Sequence, residues 1–229
     1  MGERENILGR IHEALSVSAP PPGHGDSRPG ASAPGSSPAA KAREWLPLAG
    51  TTFDERLALF RKNSTALKTD FRLLDNQEQL EGQMLALREA EGWKTVASHA
   101  GKWTDRACRR LDLPVCRTDQ GYDVHELEKC DVGITECDAL IAQTGSVLVT
   151  ARSAGGRALS VLPPHHVVIA HREQLLGDLP EAFALLRSKY APNYPSFISL
   201  ITGPSRTGDI ERILVLGAHG PKKLTVVCV

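Results

Sequence analysis

Between Gly203 and Glu211 the chain gathers Ser205, Arg206, Thr207, Asp209 and Glu211 behind a Gly203-Pro204 turn. A second turn follows at Gly217-Ala218-His219-Gly220-Pro221. Backbone N–H groups of a glycine turn, a helix N-terminus carrying about half a positive charge, and a guanidinium all attract an anion. Gly-Pro dipeptides mark turns in any protein. A turn alone, however, does not require hydroxyls, an arginine, two acids and a histidine together. The two loops are therefore expected to lie side by side around a small anionic ligand, with Gly203, Pro204, Ser205, Arg206, Thr207, Asp209, Glu211, His219 and Gly220 as its contacts.

Other residues add to the set. Glu136 and Asp138 share one face if their segment is extended, and paired carboxylates serve acid, base or nucleophilic roles. Glu136 is the first candidate for such a role; acids dressing a helix N-terminus look the same in sequence. Thr144-Gly145-Ser146 offers two hydroxyls and a close-approach glycine, as a plain hairpin turn also does. Arg152 and Arg157 flank a Gly-rich loop that accepts a phosphate or carboxylate, or simply faces solvent. His165-His166 makes a poor chelate, because adjacent strand residues point to opposite faces, so no metal site is expected. Neither a Walker loop nor a Gly-x-Gly-x-x-Gly fingerprint is present.

The elements that would position these residues alternate. Thr51 or Thr52 caps a helix through Phe53, Leu57, Phe60 and Leu67, and a short strand spans 69–74. Asp75 or Asn76 caps a helix through Leu80, Met84 and Leu87. Strands at 93–98 and 113–117 alternate with helices at 104–111 and 124–130. Such alternation predicts a parallel sheet built from strand–helix–strand units. Residues 139–142 and 147–150 read as strands joined by the Thr-Gly turn, or as a short helix and then a strand, and 158–162, 167–170, 197–201 and 224–229 as further strands. The longest helix is expected over 173–189, bent by Pro180 or restarting there. A short helix is expected over 207–215, with Asp209 and Glu211 in its first turn. Residues 1–15 read as an amphipathic helix, 16–40 as a Pro/Gly/Ser/Ala-rich linker, and 41–229 as the α/β domain.

Bulk properties narrow the function. Twenty-seven basic residues balance 27 acidic ones, which argues against a nucleic-acid binder. No apolar run approaches the roughly 20 residues needed to cross a bilayer, and a cytoplasmic location is expected. The 5 cysteines are odd in number and contain no Cys-x-x-Cys pair, so no cluster or disulfide framework is expected in this chain.

Three stretches in order, GITECDALIAQTGSVLVT, LSVLPPHHVVIA and ITGPSRTGDIERILVLGAHGPKKLTVV, resemble the LUD domain, in particular its LutC/YkgG (lactate utilization protein C) group. The resemblance covers roughly Phe53 to Val229. It implies an α/β fold like that of the NagB/RpiA/CoA-transferase group, with a mixed, mostly parallel sheet and helices on both faces. It also implies a cytoplasmic protein acting with two iron–sulfur partners in oxidising L-lactate to pyruvate, the clusters residing in the partners. Motif membership carries over to Glu136, Thr144, Gly145, Pro163, Gly203, Pro204, Ser205, Arg206, Thr207, Asp209, Glu211, His219, Gly220 and Pro221. Gln143 stands where glutamate is common, and Gly208 where alanine is usual.

Two functions follow as expectations. One is a subunit or accessory protein of a lactate-oxidising system that binds a small anion in a cleft of the C-terminal loops, so that Arg206→Ala abolishes anion binding without disturbing the fold. The alternative is a stand-alone enzyme of the CoA-transferase or formyltetrahydrofolate cyclo-ligase type acting on a phosphate-bearing substrate.

Overall fold

In the computed structural model of the chain, the residues described are 48–208, 214–217 and 219–229. The expected helix at 1–15, the linker at 16–40, and Asp209 and Glu211 lie outside them. The first helix, α1 (Phe53–Ala66), starts where the sequence places it: the Thr52 hydroxyl accepts from the Glu55 N–H, and the Glu55 carboxylate accepts from the Thr52 N–H. That capping box satisfies two backbone donors at once. The chain then alternates through β1 (Asp70–Leu73), α2 (Gln79–Glu91), β2 (Val96–Ser98), α3 (Lys102–Leu111), β3 (Val115–Arg117), α4 (Val124–Glu128) and β4 (Val132–Glu136). A hairpin of β5 (Ala139–Ile141) and β6 (Ser146–Thr150) follows, then β7 (His165–Ala170), β8 (Leu175–Leu176), α5 (Leu179–Tyr190) and β9 (Ile198–Ile201). The chain closes through β10 (Arg206–Gly208), β11 (Leu214–Leu216) and β12 (Lys223–Cys228).

Six strands form one sheet in the order β1-β12-β7-β4-β2-β3, and every pairing in it is parallel. A second sheet, β8-β5-β6-β9, is mixed. One face of the large sheet packs Val96, Val132, Ile134, Val167 and Ile169 against α2 and α3 through Leu80, Met84, Leu87, Ala107 and Leu111. The other face packs Val168, Val226 and Cys228 against Phe60 of α1 and against Leu140, Val147 and Val149 of the small sheet. Helix α5 covers the far side of the small sheet through Ala182, Leu186 and Tyr190. Strands buried on both faces explain why their sequences run apolar without alternation.

Three expectations are corrected. Residues 206–208 and 214–216 are not helical. They pair antiparallel, with Arg206 opposite Leu216 and Gly208 opposite Leu214. Nine residues are too few for a helix to stand without strong packing, and a short apolar run such as Ile213–Leu216 does not by itself distinguish helix from strand. The expected strand at 158–162 is a 3-10 turn over Ala158–Ser160, and Pro163 and Pro164 deny the adjoining backbone two ladder donors. The long helix begins only at Leu179. Asp178 caps it by accepting from Glu181 N–H at 2.9 Å, and Pro180 sits in its first turn. Residues 172–174 form a 3-10 turn instead, and Leu175–Leu176 joins β5.

Candidate functional site

The expected loops do meet. Ser205 N–H donates to the Pro221 carbonyl at 2.9 Å, and Gly217 N–H donates to the Ser205 carbonyl at 2.9 Å. The Thr144-Gly145 turn joins the same region, because Ser146 and Thr202 share a hydroxyl hydrogen bond of 2.8 Å. What they surround is the C-terminal end of α1. Asn63 Nδ2 donates to the carbonyls of Ala142 and Gln143, both at 2.9 Å. Arg206 Nη2 donates to the Leu67 carbonyl at 2.9 Å. Gly145 has φ +65°, and a Cβ there would lie 2.6 Å from Ser64 N. Arg206 thus satisfies a helix-end carbonyl that has no partner within the helix. His219 is exposed and Ser205 and Gly220 are half-buried.

This cluster lies at the amino end of the large sheet. Lys223, next to the second loop, is level with His165 and Val132. Glu136 is four register steps further on, level with Ile169, or about 13 Å along the strands. Glu136 and the C-terminal loops therefore belong to opposite ends of the sheet and do not form one site.

At the carboxyl end the topology opens a crevice. From β2 the chain leaves toward the edge strand β3. From β4, the neighbour on the other side of β2, it leaves through the small sheet toward β7. Diverging connections of this kind mark the switch point at which open α/β sheets bind ligands. A crevice of about 390 Å³ lies there, lined by Lys102, Trp103, Glu136, Asp138, His171 and Gln174, with Ile169, Glu173, Leu176 and Leu185.

Glu136 and Asp138 do not act as a pair. β4 ends at Glu136, and the two carboxylates diverge. Glu136 Oε1 accepts from the N–H groups of Trp103 (2.8 Å) and Thr104 (3.4 Å), closing the N-terminus of α3. The N-cap residue, Gly101, supplies no side chain for that job. A Cβ on Gly101 would lie 2.5 Å from Glu136 Oε1, so the glycine admits the carboxylate. His99 braces the arrangement by accepting from Glu136 N–H at its Nε2, 3.3 Å away. Asp138, whose side chain is fully buried, instead faces α5. Its Oδ1 accepts from Lys189 Nζ at 2.6 Å and from the Tyr190 hydroxyl at 2.5 Å. Burial alone would raise the Asp138 carboxyl, but the Lys189, Ser153, Tyr190 and Thr150 donors around it outweigh that and hold it below the usual carboxylate range. Burial would likewise depress the Lys189 ammonium, and Asp138 more than compensates, holding it high.

The remaining wall is stapled by Gln174, which accepts from His171 N–H at 2.6 Å and donates to the Cys137 carbonyl at 2.7 Å. Lys102 rests its ammonium 4.5 Å from the centre of the Trp103 ring, and the Trp103 and His171 rings lie 6.1 Å apart. Lys102, Trp103, Lys189 and Tyr190 were not singled out in the sequence. The available signal was a glycine between a strand and a helix, Gly101, followed by a lysine at the helix start. His165 and His166 point to opposite faces, as expected, and each ends in a threonine hydroxyl: Thr225 for His165 and Thr135 for His166, both at 2.9 Å. Among the described residues no group of three or more His, Cys, Asp or Glu side chains is placed to hold a metal ion. No described helix is long and apolar enough to cross a membrane.

Comparison with known proteins adds a family. The model of the LUD domain matches residues 58–229. A protein named Lactate utilization protein C from Shouchella clausii is 29% identical over 187 residues, covering 77% of this chain and 80% of its own. Another of that name, from Oceanobacillus iheyensis, is 28% identical over 193 residues, covering 80% and 83%. Among solved structures, a DUF162 family protein from Deinococcus radiodurans superposes with a TM-score of 0.60 at 19% identity, covering 79% of this chain and 99% of that one. At that identity the likeness is one of fold.

Proposed function

The chain belongs to the LUD domain family, and from that premise we propose that it is a subunit or accessory protein of a system that oxidises L-lactate to pyruvate. In this reading it holds a small organic anion and works beside iron–sulfur proteins. The role is supported by the match to proteins named for lactate utilization over about four-fifths of the chain. Assigning the clusters to partner proteins rests on the cysteine spacing, which offers no Cys-x-x-Cys. The carboxyl-end crevice is favoured as the ligand site over the Arg206 loops. Arg206 is engaged by Leu67, whereas Lys102 lines a crevice at the switch point and has no carboxylate partner among the described residues.

Two experiments test this. Deleting the gene should abolish growth on L-lactate as sole carbon source, and the intact gene should restore it; unchanged growth of the deletion strain overturns the role. In titrations of the purified protein, Lys102→Ala should weaken binding of L-lactate or pyruvate about tenfold, as expected for one charge-assisted hydrogen bond, while Arg206→Ala leaves it unchanged. The reverse pattern returns the site to the C-terminal loops. Saturable binding of CoA esters or sugar phosphates would instead favour the stand-alone enzyme.

A further inference from the structure

Most of the polar wall of the crevice is already committed to the fold. Glu136 is held by the start of α3, Asp138 by Lys189 and Tyr190, and Gln174 by His171 N–H and the Cys137 carbonyl. Groups with their hydrogen bonds made have little to gain from a ligand. What remains open among the described residues is one cation, Lys102, the buried Asp138 Oδ2 and His171 Nδ1, which have no hydrogen-bond partner, and an apolar floor of the half-buried Leu176 and Leu185. Glu173 lies at the rim with its side chain 89% exposed, and it opposes any second negative charge. The volume, about 390 Å³, falls in the range of sites for organic ligands. It exceeds the roughly 100–150 Å³ a three-carbon acid occupies, scaled from the ~30 Å³ share of a water molecule.

We propose that the crevice takes a singly charged carboxylate with an apolar body, larger than a three-carbon acid. Lys102 meets the carboxylate, Leu176 and Leu185 meet the body, and phosphate esters are turned away by charge. This deepens the proposed function and rests on its placement of the ligand in the crevice.

The test is titration of the full chain at neutral pH with L-lactate, L-3-phenyllactate and glycerol 3-phosphate. Phenyllactate should bind at least tenfold more tightly than lactate, since burying its ring adds the transfer of a large apolar group. Glycerol 3-phosphate should show no saturable binding. Lys102→Met should weaken both acids, and Leu185→Asn should narrow the gap between them, with folding checked by circular dichroism. In the unaltered protein, nuclear Overhauser effects should connect the phenyl protons to leucine methyls. Equal affinity for the two acids, absence of those effects, or saturable phosphate-ester binding lost in Lys102→Met overturns the ligand class and leaves the crevice reading standing. No binding of any acid overturns both.

Discussion

At the scale of single residues, the site turns on which carboxylate does what. Glu136 lends its charge to a helix start that has no side-chain cap of its own, and Gly101 is what lets it in. Gly101→Ala should force the carboxylate off the α3 N-terminus and cost about 1–2 kcal/mol, the worth of an N-cap, in urea unfolding. Glu136→Gln should cost less, because an amide oxygen still accepts while the charge–dipole part is lost. Arg206→Ala removes the donor to the Leu67 carbonyl and should lower stability by about 1–2 kcal/mol at a half-buried position. An unchanged unfolding midpoint would show that water replaces the guanidinium there without loss. Both roles escaped the sequence for one reason. The partners are distant in the chain, Glu136 from Trp103 and Arg206 from Leu67, and no local spacing encodes them.

At the scale of elements, the C-terminal end of α1 is a meeting point. The Thr144-Gly145 turn, Gly203 and Arg206 all pack on residues Asn63 to Leu67. Asn63→Ala leaves the carbonyls of Ala142 and Gln143 short of a donor. It should cost about 1–3 kcal/mol and raise hydrogen-exchange rates in the β5–β6 turn ahead of the rest of the small sheet. The alternating first half was legible because amphipathic helices between apolar runs carry strong periodic signals, and the α1 cap was read to one of two adjacent threonines, Thr51 or Thr52, of which Thr52 serves. The β10–β11 pair was not. Cap-forming and acidic residues before an apolar run are shared by helix starts and hairpins, and pairing partners decide between them. The α5 start slipped because Asp178 and Pro180 together mark an N-terminus more strongly than the leucine periodicity running back to Leu175.

At the scale of the whole molecule, pH acts through the buried histidines. Burial pushes His165 from 6.5 down to about 4 and His166 down to about 3. Both are therefore neutral in the folded chain while their unfolded counterparts charge below about 6.5. Between about pH 6.5 and 4 the unfolded chain binds more protons, so stability falls as pH falls, by on the order of 3 kcal/mol from His165 alone. Asp138, held below its usual value, adds a further loss in the same direction once pH drops below the ordinary carboxylate range. Unfolding free energies measured from pH 7 to pH 4 should show this slope, and His165→Phe should flatten part of it. A level profile across that range would contradict the burial of both rings. Topology at this scale was legible as a class, a mostly parallel sheet with helices on both faces. The strand order was not, because no local pattern says which apolar run lies beside which.

That order bears on how the protein is made. β12 lies between β1 and β7, so among the described residues Asp70 to Leu73 gain their only sheet neighbours when Thr225 to Cys228 arrive. A ribosome adding about 5–20 residues each second would release the early strand many seconds before its mate exists. Over that interval the nascent chain carries an open seam, and a holding chaperone would find its binding surface there.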